Sequence, residues 1–143
     1  EANDVKFPSV VSDVMNEIIS IDADSFVYEA AKKMIDNKIG SIIVTANGEP
    51  KGIITRSDMI KRVIVAYKDP RVNKAGSIIS KPLITVDADK PILDVMRYIR
   101  DKDINQVLVE KDGNLIGIVS EGDLIRAVTL SSLTQFSTLM RRT

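Results

Sequence analysis

The sequence predicts an α+β fold in which two tandem β-α-β-β-α repeats pack sheet to sheet about a pseudo-twofold axis. Two features carry that expectation. The 143 residues repeat themselves at a shift of 65, and both copies show the same order of apolar run, helical stripe and tight hairpin turn.

The repeat is visible residue by residue. Ile21-Asp22-Ala23-Asp24 falls on Val86-Asp87-Ala88-Asp89, and Gly52-Ile53-Ile54-Thr55-Arg56-Ser57-Asp58 falls on Gly117-Ile118-Val119-Ser120-Glu121-Gly122-Asp123. Asp36, Ile39, Val44 and Gly48 meet Asp101, Ile104, Val109 and Gly113 in the same frame, with no gap between residues 11–63 and 76–128.

Each copy opens on a short apolar run, Ile18-Ile19-Ser20-Ile21 or Leu83-Ile84-Thr85-Val86. A helix follows. In the first copy Asp24 or Ser25 is the expected cap, with Val27, Ala31, Met34 and Ile35 on one face. In the second, Asp89 caps, Pro91 occupies the first turn, and Ile92, Val95, Met96 and Ile99 form the stripe. Two strands then flank Asn47-Gly48 and Asp112-Gly113, pairs that tolerate the positive φ of a two-residue hairpin. A second helix closes each copy, from Ser57 to about Tyr67 and from Gly122 to about Thr129. One copy of about 55 residues buries little surface alone, and the runs Ile42-Ile43-Val44 and Val107-Leu108-Val109 suit sheets enclosed on both faces. The expected divisions are residues 8–68, 72–129 and a tail at 130–143, with Asp69-Pro70-Arg71 as connector.

Composition narrows the function. Hydrophobic residues make up 44% and aromatics only 4%, so the core is aliphatic. Twenty basic and 20 acidic residues give zero net charge, which disfavours direct nucleic-acid binding. The absence of His and Cys removes imidazole and thiolate metal ligands and the Ser-His and Cys-His nucleophile pairs, so no catalytic residues are expected. A carboxylate site for a hard cation stays open, but Asp22, Asp24, Asp87 and Asp89 flank helix starts, where capping is the simpler role, and no metal site is expected. No stretch approaches the roughly 20 apolar residues of a membrane span, and a cytoplasmic protein is the expectation.

The chemistry sits where the third strand of each copy becomes a helix. Thr55 and Ser120 place hydroxyls at that turn, beside backbone N–H groups that favour an anion, and Asp58 and Asp123 follow in the first helical turn. A carboxylate there can accept both hydroxyls of a ribose. The same four residues equally suit plain helix capping, and spacing alone does not separate the two.

The lead-in Val14-Met15, the turn at Asn47-Gly48 and the closing Gly-Ile-Ile-Thr-x-x-Asp resemble the CBS domain, and the doubled form resembles the CBS pair, or Bateman module, over nearly the whole chain. The resemblance implies two clefts between the repeats that hold AMP, ADP, ATP, S-adenosylmethionine or a relative. It places ribose on Asp58 and Asp123, phosphate on Thr55 and Ser120 with Ser57 assisting, the base beside Gly40-Ser41 and Asn105-Gln106, and apolar walls at Ile19, Ile53, Ile84 and Ile118. It also implies a homodimer, a regulatory role in sensing cellular energy and a protein target. The copies differ at Arg56 against Glu121, Ser57 against Gly122, and Gly40-Ser41 against Asn105-Gln106. Arg56 favours an anion and Glu121 repels one, so the Asp58 site is expected to suit a phosphorylated ligand better, while the two charges suit plain solvated surface positions at least as well. The alternative is a protein-interaction or transcription-regulatory module that binds no nucleotide. Leu130, Leu133, Phe136 and Met140 give the tail an amphipathic helical spacing.

Overall fold

The computed structural model describes residues 8–79 and 83–141. They divide into two compact units, one within residues 18–83 and the other made of residues 8–17 together with 84–141. Each unit holds one three-stranded sheet.

In the first unit β1 (Ser20–Asp22) leads into α1 (Val27–Asp36), then β2 (Ser41–Ala46), β3 (Glu49–Thr55) and α2 (Arg56–Met59). The sheet order is β1-β2-β3, with β1 parallel to β2 and β2 antiparallel to β3. The second unit repeats this with β4 (Thr85–Asp87), α3 (Ile92–Lys102), β5 (Gln106–Lys111), β6 (Asn114–Ser120) and α4 (Glu121–Arg141). Both hairpins close through two residues at positive φ, 54° and 77° at Asn47-Gly48 and 53° and 81° at Asp112-Gly113, as the right-handed twist of the strands requires. Even the register irregularity is duplicated, falling after Val44 and after Val109.

The helix stripes point into two aliphatic cores. Val27, Ala30 and Met34 meet Ile42, Val44 and Ile54, while Ile92, Val95 and Ile99 meet Val107, Val109 and Val119. Ile35, expected on the buried face of α1, is 75% exposed, and Ala30 takes its place. The helix starts also differ from expectation. Asp22 and Asp87 each accept a backbone N–H two residues on, from Asp24 and Asp89, which forms a turn before the helix. The cap positions therefore fall later, at Phe26, whose N–H is held by Glu29, and at Pro91.

Helix ends follow one plan. Lys38, Tyr67 and Asp103 adopt φ of 52–56° and donate to the carbonyls of Ile35, Ile64 and Arg100, while the next residues donate to Met34, Val63 and Ile99. This is the doubly bonded left-handed C-terminal motif, built here without glycine. The second helix of the first unit is not a regular α-helix to Tyr67. After Met59 it widens into a π turn over Ile60–Ile64, in a stretch of β-branched residues that crowd a regular helix. Its counterpart α4 instead runs unbroken to Arg141, so the tail continues the second repeat's helix, with Leu130, Leu133 and Met140 exposed. The Phe136 side chain lies outside the described residues.

The two units exchange their lead-in segments. Residues 11–16 precede the first repeat but dock on the second unit. Val11 N–H donates to Lys90, Ser12 N–H to Ala88, and Asn16 pairs with Ile118 across the open edge of β6. Residues 75–79 precede the second repeat but dock on the first, where Ala75 donates to Ser25 and Gly76 to Ala23. Val11 and Ala75 are fully buried. By these bonds Val11 matches Ala75, 64 residues on, whereas Ser20 matches Thr85, 65 residues on. The gapless frame expected from the sequence therefore breaks here by one residue. Gly52 and Gly117 admit the lead-ins: a Cβ at Gly52 would come within 2.9 Å of Ile79, and one at Gly117 would run into Met15.

Among the described residues no helix is long and apolar enough to cross a membrane, and no cluster of three or more acidic side chains stands ready for a metal.

Gly117→Ala should destabilise the protein by about 1–3 kcal/mol through collision with Met15, and Gly117→Ala with Met15→Ala should recover part of the loss in chemical denaturation. In the connector, the side chain of Arg71 donates to Asp69, and its backbone N–H does so too, which holds the Asp69 carboxyl below its ordinary value. The folded value lies below the unfolded one, so the stabilisation is present above about pH 4 and fades as pH falls through the lowered folded value. Carboxyl NMR titration should give a lowered midpoint for Asp69 that rises in Arg71→Ala.

Candidate functional site

Each β3-to-helix junction is built by hydrogen bonds that the sequence pattern anticipates. Thr55 N–H and Oγ1 both donate to Asp58 Oδ2, at 2.8 and 2.9 Å, while Asp58 N–H donates back to Thr55 Oγ1 at 3.3 Å. Ser120 and Asp123 repeat the arrangement at 2.9, 2.8 and 3.2 Å. This is a capping box with aspartate as the reciprocal acceptor. The capping role weighed from the sequence is thus present in both copies, on Oδ2 of each carboxylate.

Register brings further expected residues to the same corner. Ser41 pairs with Thr55 and Gln106 with Ser120, so the start of the middle strand lies beside the end of the third. Arg56 N–H donates to Gly40 O at 3.2 Å, and Glu121 N–H to Asn105 O at 2.9 Å. Gly40, Ser41, Thr55, Arg56, Ser57 and Asp58 therefore belong to one corner of the first unit, as Asn105, Gln106, Ser120, Glu121 and Asp123 do in the second. Gln106 carries a buried side-chain oxygen with no hydrogen-bond partner, an acceptor left unused.

The isoleucines divide between faces. Ile19 and Ile84 pack against the helix-side cores. Ile53 pairs with Ile43, and Ile118 with Leu108, on the alternate set of positions that points to the opposite face of each sheet. Ile53 is 9% exposed and Ile118 is half-buried.

Three residues join the carboxylates without a clear sequence signal. Arg62 Nε stands 3.4 Å from Asp58 Oδ1, and Arg126 Nη2 donates to Asp123 Oδ1 at 2.6 Å. Their sequence distances of four and three residues allow such pairs, but equally allow ordinary surface charges. Asn16 Nδ2 donates to Asp123 Oδ2 at 2.9 Å from 107 residues away, a contact no local pattern announces. The two carboxylates also differ in burial, the Asp58 side chain being 7% exposed and that of Asp123 19%.

A profile of the CBS domain matches residues 11–65 and again 75–130. The chain belongs to the CBS domain family. An uncharacterized protein of Methanopyrus kandleri is 38% identical over 80 residues, covering 55% of this chain and 41% of its own length. A mitochondrial CBS domain-containing protein of Arabidopsis thaliana is 36% identical over 89 residues, 59% of this chain and 43% of its own. The CBS pair described here thus spans about two fifths of the length of these relatives. The crystal structure of a conserved CBS domain protein of unknown function from Thermoplasma acidophilum matches it at a TM-score of 0.75 and 28% identity, over 94% of this chain and 76% of that one.

The capping bonds set a measurable cost. Thr55→Val and Ser120→Ala, which delete the hydroxyls with little change of shape, should each lower stability by about 1 kcal/mol in denaturant melts.

Proposed function

We propose that this CBS pair is a regulatory module that binds an adenosine-containing nucleotide, with AMP, ADP and ATP the leading candidates and S-adenosylmethionine a relative of the same shape. The observation that carries the reading is the burial of Asp58, the one charged residue buried among the described residues. A cap needs no burial, and sequestering a carboxylate is costly unless partners repay it. In this reading the ribose takes the place of Arg62 on Oδ1, the Thr55 and Ser57 hydroxyls and Arg56 meet the phosphate, and Gly40-Ser41 border the base with Ile53 nearby. Asp123, Ser120, Asn105, Gln106 and Ile118 form the weaker counterpart, where Glu121 opposes an anion. Ile19 and Ile84, on the helix side, support the strands behind the ligand. The unused Gln106 oxygen suits an amino group of a base.

Regulation follows as population shift: the ligand favours one arrangement, a target protein reads it, and the effect is bounded by the difference in affinity between states. A homodimer belongs to this reading, and the exposed Ile60 and Ile64 offer apolar surface to a second copy.

One observation favours a second reading, a protein-interaction module with no nucleotide. Both carboxylates already serve their own helices through Oδ2 and pair with arginines of the same helical segments through Oδ1. A thermal-shift panel of AMP, ADP, ATP, NAD and S-adenosylmethionine separates the two. A ligand at a hundred times its dissociation constant adds about 2.7 kcal/mol. The nucleotide reading expects that gain for a phosphorylated ligand, lost in Asp58→Asn and largely kept in Asp123→Asn. A flat panel, or loss in Asp123→Asn alone, supports the second reading.

A further inference from the structure

We propose that Gly40 is the specificity-determining residue of the first repeat: its missing side chain lets the Arg56 guanidinium lie across the backbone, where it reads the phosphate of the ligand. The inference rests on the nucleotide reading above and extends it to a residue with no charge or hydrogen-bonding side chain of its own.

The geometry is specific. A Cβ built on Gly40 would lie 3.2 Å from Arg56 Cζ, 3.3 Å from Nη1 and 3.6 Å from Nε. Three atoms of one planar group at nearly equal distances mean that the guanidinium plane faces the glycine. The Arg56 N–H donates to the Gly40 carbonyl as well, so main chain and side chain of Arg56 hold the same residue. Backbone conformation does not explain a glycine here. Gly48 and Gly113 are the glycines at positive φ, and the left-handed position ending α1 is filled by Lys38. What position 40 supplies is space.

The charge placed in that space is uncompensated. Among the described arginine side chains, Arg62, Arg71, Arg97, Arg100 and Arg126 each lie within 3.6 Å of a carboxylate oxygen, and Arg56 does not. A planar fork with five donors, lying over Gly40 and next in sequence to Thr55 and Ser57, with no carboxylate partner, suits the oxygens of a phosphate monoester. The second repeat changes both members together, with Asn105 in place of Gly40 and Glu121 in place of Arg56. A side chain at 105 occupies the space, and an acid replaces the cation.

The test uses the whole chain, with Gly40→Asn and Arg56→Ala beside the unaltered protein. Gly40→Asn asks for no disallowed backbone angle, and Arg56 is exposed and free to move aside, so the variant should fold. Inorganic phosphate is titrated while the Arg56 Nε–H signal is followed by NMR, and AMP and adenosine affinities are measured by calorimetry. The expected result is a saturable shift of the Arg56 signal that Gly40→Asn loses, and an AMP-to-adenosine preference of about tenfold or more that falls to near one in both variants. Taking the ratio removes any common loss of base binding. If phosphate leaves the Arg56 signal unmoved, or moves it equally in Gly40→Asn, the role of Gly40 is overturned. An AMP preference unchanged in Gly40→Asn overturns it too, while leaving the nucleotide reading intact. If phosphate moves Arg56 in the glycine-dependent way but neither AMP nor adenosine binds, the nucleotide reading falls and the Gly40–Arg56 anion site stands.

Discussion

Close approach of a lead-in segment to a glycine on the third strand is the constraint on which each unit depends. A three-stranded sheet with two helices has a small core and an open edge, and both are completed by residues from elsewhere in the chain. Val11, Val14 and Met15 join the core of the second unit, and Ala75, Ile78 and Ile79 that of the first. Gly52 and Gly117 make room, since any Cβ there would meet Ile79 or Met15. The bonds of Val11 and Ser12 to Lys90 and Ala88 then fix the position along the chain, and their counterparts at Ala75 and Gly76 do the same. Because the lead-ins are exchanged, neither sequence repeat contains all of its own core.

That exchange bears on the site. Asp123 closes the helix cap with Ser120, pairs with Arg126 and also receives Asn16 from the exchanged segment. The candidate ribose acceptor of the second repeat is thus wired directly to the lead-in. A ligand that drew on this carboxylate would compete with bonds that hold residues 11–16 in place, giving a physical route from occupancy to a change in a distant part of the chain. In the first repeat Arg62 stands off at 3.4 Å while the carboxylate itself is more deeply buried. The two corners share a scaffold and differ in how firmly their carboxylates are held.

Duplication supplied two copies of one junction, and later divergence altered the residues around it. The hairpins, the register irregularities, the left-handed ends of α1 and α3 and the Thr/Ser–Asp caps are kept in both copies. Among the candidate site positions, 40, 41, 56 and 57 differ in kind from 105, 106, 121 and 122. The conserved set satisfies backbone donors and acceptors, whose demands are the same in each copy. The divergent positions lie outside that set of shared backbone bonds, where the fold makes no common demand.

Much of this was legible in the chain itself. The hairpins follow from Asn-Gly and Asp-Gly, the α3 stripe from its spacing, and the β-α-β-β-α order from the repeat, because each rests on contacts between near neighbours. The caps at Thr55 and Ser120 were legible for the same reason. The π turn after Met59, the exposure of Ile35, the exchanged lead-ins, the Asn16–Asp123 bond and the seat of Arg56 on Gly40 were decided by tertiary structure. Each depends on which surfaces meet across tens of residues, or on a space left empty, and neither leaves a local period or motif. Sequence determined the elements and the chemistry available at their ends; only folding decided which of those groups came into contact.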